Sequence, residues 1–139
     1  MTAAKTIEMK VQKKIATKPP RAFDAWLDPT VPGTTWHAAD KFVLDPKVDG
    51  LFFWRMKPTQ TPHYGRFTHV ERPLRLEHTW MSPNTSGFES TVTVTFEAQG
   101  DHTLMTIVHA GLPDTDRGRS HEKGWTYFLG LFAGEQHKA

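Results

Sequence analysis

The sequence predicts an α+β fold in which a curved antiparallel sheet of about seven strands is covered by one long C-terminal helix. Two stretches carry that prediction. From Ala39 onward, short alternating segments are separated by Asp-Pro, Asp-Gly, Pro and Gly-Asp punctuation, the spacing of an antiparallel meander. At the other end, Met105–Phe132 alternates, turns, and then places Gly118, His121, Trp125, Phe128, Leu129 and Phe132 at steps of three and four, one stripe of an α-helix. A sheet with one apolar face needs a cover, and this helix is the only element long enough to supply it.

In chain order, Thr6–Ala16 opens with apolar Ile7, Met9, Val11 and Ile15 on odd positions, a half-buried strand breached at Lys13. Pro19 and Pro20 suit the first turn of a short helix, because proline lacks only a donor that would be orphaned there. Ala22, Phe23, Trp26 and Leu27 give that helix its apolar face. A second short helix or irregular turn spans Pro29 to Trp36, interrupted by Pro32 and Gly33. Strands follow at Ala39–Leu44, Leu51–Lys57, Tyr64–Glu71, Arg75–Met81, Glu89–Ala98 and Thr103–Ala110, with hairpin turns at Asp49-Gly50 and Gly100-Asp101. Parity puts Leu76, His78 and Trp80 on one face, as it does Val92, Val94 and Phe96, and Met105, Ile107 and His109. For the closing helix, Asp114 is the expected N-cap, Asp116 the first-turn acid and Gly134 the stop. Gly124 is expected to let the helix approach the sheet closely. The four glycines from Gly118 to Gly134 suggest an adjustable lid.

At 139 residues the chain fits one domain, residues 1–139. The absence of cysteine excludes disulfide scaffolds, thiolate metal sites and cysteine nucleophiles. No apolar run approaches the roughly 20 residues of a membrane span, and no secretory h-region opens the chain, so a cytoplasmic location is expected. A formal charge of +2 argues against a nucleic-acid surface; the N-terminal lysines read as a solvated strand edge.

The segments PPRAFDAWLDP (Pro19–Pro29), Trp36, GRFTHVERPLRLEHTW (Gly65–Trp80), STVTVTF (Ser90–Phe96), HAGLP (His109–Pro113) and HEKGWTYFLGLF (His121–Phe132) stand in an order that resembles the START-like, or SRPBCC, superfamily. Within it, the chain is similar to the bacterial relatives of the activator of Hsp90 ATPase. The resemblance implies the helix-grip fold, with a pocket between sheet and C-terminal helix. The chain departs from the family pattern in carrying Asp49-Gly50 where a Gly-Gly is common and in the Pro32-Gly33 interruption; a single domain is expected, where the eukaryotic chaperone activators carry an additional N-terminal one.

With that fold, Trp36, Phe53, Trp80, Phe96, Trp125 and Phe128 are candidate walls of an apolar cavity, and Arg66, His78, His109 and His121 its candidate polar groups. The competing reading is that these rings simply fill a core. His109 and His121 are expected to meet where the last strand joins the helix, as buried imidazoles that bond the connecting backbone rather than as catalysts. Arg66 points either into the pocket or to the surface. No metal-ligand spacing, nucleophile motif or phosphate loop occurs among the eight histidines and the hydroxyl residues, so neither metal nor cofactor is expected. Three functions stay open. The first is a binder of an apolar or aromatic small molecule; the second an aromatase/cyclase-type enzyme using His78, His109 or Arg66; the third a protein-interaction module of the chaperone-linked kind. The chain is expected to act as a monomer or homodimer, without nucleic acid or membrane.

Overall fold

The computed structural model describes residues 5–56 and 61–138. β1 (Thr6–Ile15) leads to α1 (Pro19–Trp26) and α2 (Thr35–Ala38). Six strands follow: β2 (Ala39–Leu44), β3 (Leu51–Met56), β4 (Thr61–Glu71), β5 (Arg75–Trp80), β6 (Ser90–Gln99) and β7 (His102–Pro113). The chain closes with α3 (Asp116–Arg119) and α4 (His121–Lys138). All seven strands pair antiparallel in one sheet, ordered β1-β7-β6-β5-β4-β3-β2. The first strand thus joins the last, and α4 lies across the face between them, the helix-grip arrangement.

Side-chain parity decides which face is covered. Leu76, His78 and Trp80 of β5, Val92, Val94 and Phe96 of β6, and Met105, Ile107 and His109 of β7 are all buried. From above, α1 sets Phe23 against Phe96 at 5.2 Å between ring centres, and Trp26 lies edge-on to Phe132 of α4 at 5.1 Å. Trp36 of α2 meets Phe52 of β3 at 5.6 Å and donates its indole N–H to the Trp26 carbonyl, tying the two short helices together. The Gly100-Asp101 turn joins Gln99 to its partner His102, with Gly100 at φ 63°, a backbone state that glycine reaches without strain.

Several boundaries differ from expectation. The second short helix starts at Thr35, after Pro32 and Gly33 rather than around them, because the Thr34 hydroxyl accepts from the His37 N–H and caps it there. The closing helix is two helices, α3 and α4. Thr115, not Asp114, caps α3 by accepting from the Gly118 N–H; Asp114 instead pairs with Lys5 and Arg119. Gly134 does not stop α4, which continues to Lys138. A 3₁₀ turn at Pro83–Thr85, capped by Ser82, is an added element between β5 and β6. Lys57, expected to end the third strand, lies outside the described residues.

The glycines of this segment divide into two kinds. A Cβ on Gly118 would stand 1.9 Å from the Pro113 carbonyl oxygen, so α3 packs against the end of β7 only because that side chain is missing. Gly33, at φ 92°, lets its loop touch the backbone of Phe132, where a Cβ would come within 2.5 Å. Gly124, Gly130 and Gly134 face open space. Gly124 therefore does not permit a close approach of helix to sheet, contrary to expectation. The pair Gly118→Ala and Gly130→Ala separates the two effects: the first should destabilise by about 1–3 kcal/mol through overpacking, while the second should stabilise by about 0.5–1 kcal/mol through helix propensity. Urea unfolding of both variants checks the opposite signs.

Candidate functional site

A cavity of about 160 Å³ lies beneath the first turns of α4. Its walls are Trp54 and His63 from the β3–β4 pair, Trp80 of β5, Thr35 of α2, and His121, Trp125 and Phe128 of α4, with Asn84, Ser120 and Gly124 at its margin. Trp54 and His63 are register partners across the two strands, and their rings stack at 4.1 Å with planes 5° apart. Trp80 packs on both of them and on Trp125 at 5.2 Å. The result is a small chamber walled chiefly by aromatic faces.

Behind this chamber a buried chain of hydrogen bonds fixes where protons sit. The Trp125 indole N–H donates to His109 Nδ1 at 3.0 Å, so that nitrogen is bare. Neutral His109 then carries its proton on Nε2, which faces the Ser90 hydroxyl oxygen at 2.7 Å. Ser90 in turn donates to the Trp80 carbonyl at 2.8 Å, which leaves its oxygen free to accept from His109. Both nitrogens of His109 are thus engaged, and burial, reinforced by His121 and His78 nearby, pushes its pKa down to about 2. His109 is neither an acid nor a base for a ligand. His121 does meet it, at 5.0 Å between rings, and directs Nδ1 to the Arg117 and Gly118 carbonyls at 3.1 and 3.0 Å. That proton pins α4 to α3 and leaves Nε2 as an acceptor.

The two remaining buried histidines are also held neutral. His78 donates from Nδ1 to the Thr79 carbonyl, and burial pushes it down to about 4. His63 is likewise pushed down to about 4 by burial, against a hydrogen bond with the Thr61 backbone that works the other way. Three polar atoms in the buried aromatic cluster have no hydrogen-bond partner among the described residues: Trp54 Nε1, Trp80 Nε1 and His63 Nδ1.

Of the candidate residues read from the sequence, Trp80, His121, Trp125 and Phe128 line this cavity. Trp36, Phe96, His78 and His109 are buried around it without being part of its wall. Phe53 and Arg66 lie on the opposite, outer face of the sheet. Phe53 pairs with Tyr64 and Val43 there, while its neighbours Phe52 and Trp54 point inward. The run Leu51-Phe52-Phe53-Trp54 is apolar at every position, which hides its parity, and a slip of one residue changes the face. Arg66 is half-exposed and bonds Asp49 at 2.8 Å. Trp54, His63 and Thr35 are the walls that sequence reasoning missed; the pairing of Trp54 with His63 across β3 and β4 locates the first two. Among the described residues no group of three or more His, Asp or Glu side chains is arranged to hold a metal ion.

On its outer face the same end of the sheet carries a second hollow, lined by Val43, Leu51, Phe53, Tyr64 and Met81. Val43, Leu51 and Tyr64 are 55%, 62% and 44% exposed, an apolar surface that nothing among the described residues covers.

An antiparallel sheet gripping a C-terminal helix over an aromatic chamber defines a START-like domain. The model of the family described as activator of Hsp90 ATPase homolog 1-like protein matches residues 16–134, and the chain belongs to that family. Solved structures agree on the fold. The protein CV1439 of Chromobacterium violaceum superposes with a TM-score of 0.74 at 19% identity, over 91% of this chain and 94% of that one. The Hsp90 activator PFC0360w of Plasmodium falciparum gives 0.73 at 22% identity, over 88% and 91%. CalU16 of Micromonospora echinospora gives 0.67 at 17% identity, over 91% and 71%. No curated protein sequence matches significantly. No helix among the described residues is long and apolar enough to cross a membrane.

The buried imidazoles set a pH dependence of stability. His63, His78 and His109 stay neutral in the fold to about pH 4 or below, whereas in the unfolded chain they titrate near 6.5. Their depressed pKa values mean that unfolding takes up protons once the pH drops below 6.5, about three of them near pH 5. Stability is therefore full above pH 7 and should fall by on the order of 3–4 kcal/mol per pH unit around pH 5. Urea unfolding at pH 7.5, 6.0 and 5.0 measures this, and an unchanged midpoint rejects it.

Proposed function

We propose that this protein binds an apolar or aromatic small molecule in the chamber between the sheet and α4. The observation that supports this most directly is the chamber itself, a space of about 160 Å³ left among rings that elsewhere in the molecule pack against one another. The size suits a single ring, since a dry cavity of about 150 Å³ accommodates benzene. As a catalyst the site has less to offer. Arg66 is on the far side of the sheet, and His109 is consumed by Trp125 and Ser90.

Gly124 supplies the test. It borders the chamber, and a Cβ there meets nothing within 4 Å. Gly124→Leu should fill the opening without disturbing the helix, while Gly124→Ala should leave it accessible. Toluene at millimolar concentration is expected to raise the unfolding temperature of wild type and Gly124→Ala by a few degrees, and to leave Gly124→Leu unmoved. If wild type is not stabilised, the binding function is wrong.

A second reading rests on the outer apolar hollow. The exposed apolar side chains of Val43, Leu51 and Tyr64 support a protein-interaction role, and the likeness to the Plasmodium falciparum Hsp90 activator makes a chaperone of that class the partner to try. Added to an Hsp90 ATPase assay, the wild-type chain should increase turnover and a Val43→Lys/Leu51→Lys variant should not. An ATPase rate indifferent to the wild-type chain counts against this role.

A further inference from the structure

The two edges of the sheet are built differently. β1 presents exposed Lys10, Lys13 and Lys14 along its length and is bulged between Ile7 and Met9, devices that keep a second strand from joining it. β2, at the other edge, has its irregularity at the start, between Ala39 and Lys41, and then runs in regular register through Leu44. Phe42 and Val43 on it are 44% and 55% exposed, so among the described residues this edge is both open and apolar.

The backbone groups that β2 leaves free can be assigned. The Asp45 N–H donates to the Leu51 carbonyl, which makes Asp45 and Leu51 a hydrogen-bonded pair of the β2–β3 ladder. Such pairs alternate along antiparallel strands, so Val43 and Lys41 also turn their backbone groups toward β3. Phe42 and Leu44 therefore turn theirs outward. A second β2 fits those groups with Phe42 opposite Leu44, Val43 meeting its own copy on a twofold axis, and Lys41 facing Asp45. In that register each outward N–H finds a carbonyl, charge meets opposite charge, and apolar meets apolar. Centring the axis on Phe42 instead sets Lys41 against Val43. Centring it on Leu44 sets Val43 against Asp45 and Phe42 against Pro46, which has no N–H to give. Lys41 is exposed and forms no ion pair among the described residues, while Asp45 is half-exposed with Lys47 at 3.7 Å.

From the outward backbone groups of Phe42 and Leu44 and the self-complementary charges beside them, we infer that β2 pairs antiparallel with β2 of a second copy of this chain, Val43 lying on the twofold axis and Lys41 facing the partner's Asp45. The row of register partners Val43, Phe53, Tyr64 and Met81 then continues across the axis, and two seven-stranded sheets become one. This rests on neither reading of function above.

Sedimentation velocity of the full chain from micromolar to millimolar concentration tests it: the 15.8 kDa monomer should give way to a dimer, and a monomer at every concentration overturns the inference. Lys41→Asp brings carboxylates together at both ends of the pairing, and Asp45→Lys brings ammonium groups together; each should weaken the dimer by about tenfold. An equimolar mixture of the two variants should recover the wild-type affinity, because each altered side chain then faces an opposite charge. In the wild type, amide hydrogen exchange at Phe42 and Leu44 should slow as concentration rises, while that of Val43, already turned toward β3, stays constant; should either variant not fold, this exchange decides alone. A dimer indifferent to both substitutions, or one that leaves Phe42 and Leu44 exchange unchanged, forms through another surface and overturns the pairing of β2.

Discussion

The hydrogen-bond chain from Trp125 through His109 and Ser90 to the Trp80 carbonyl holds the molecule's two layers in one geometry. It starts on α4, crosses β7 and β6, and ends on β5, so a single line of donors and acceptors spans the helix and three strands. Each link works in only one direction. An indole cannot accept, which bares His109 Nδ1; the neutral ring must then donate from Nε2; Ser90 must pass its own proton onward. A protonated His109 would leave the indole N–H facing another donor, so the arrangement exists only with an uncharged imidazole. Burial beneath α4 supplies that condition, and the chain in turn keeps α4 where it buries the ring.

The same requirement explains why these imidazoles are poorly placed for acid–base chemistry. Four imidazoles crowd the inner face, yet each of His78, His109 and His121 has committed at least one nitrogen to the protein. Among the described residues, what remains open to the chamber is a set of ring faces and a few uncharged polar side chains. Membership of the Hsp90 ATPase activator-like family is shown by the match over residues 16–134, while likeness to the solved structures fixes the architecture rather than a task. A fold so widely reused leaves function to the lining of its cavity and to its outer surface.

Most of the architecture was legible in the sequence because its signals are local. Alternation in Ser90–Phe96 and Met105–His109 sets parity without ambiguity, and the three-and-four spacing from Gly118 to Phe132 marks the helical stripe that is buried in the structure. The contact of His109 with His121 followed from those two periodicities. The site was harder. In Leu51–Trp54 every residue is apolar, so nothing in the sequence distinguishes the inward Trp54 from the outward Phe53 until Trp54 is seen opposite His63. The helix start was misplaced by one residue because Asp114 and Thr115 are both competent caps, and a tertiary ion pair with Lys5 and Arg119 draws the aspartate away. Gly124 was misread for a related reason: a helical glycine signals either a close neighbour or an empty one, and the distinction belongs to the opposing surface.

The backbone contact at Gly33 ties the entrance of the domain to its far end. With no side chain between them, the loop before α2 rests on the main chain of Phe132. Two residues later that loop becomes Thr35, which is part of the chamber wall, while Phe132 lies on the helix that roofs it. Two main chains in direct contact have no rotamers with which to absorb a displacement. Any tilt of the roof is therefore delivered to the wall as a rigid movement, and the chamber changes shape as a unit rather than at one residue.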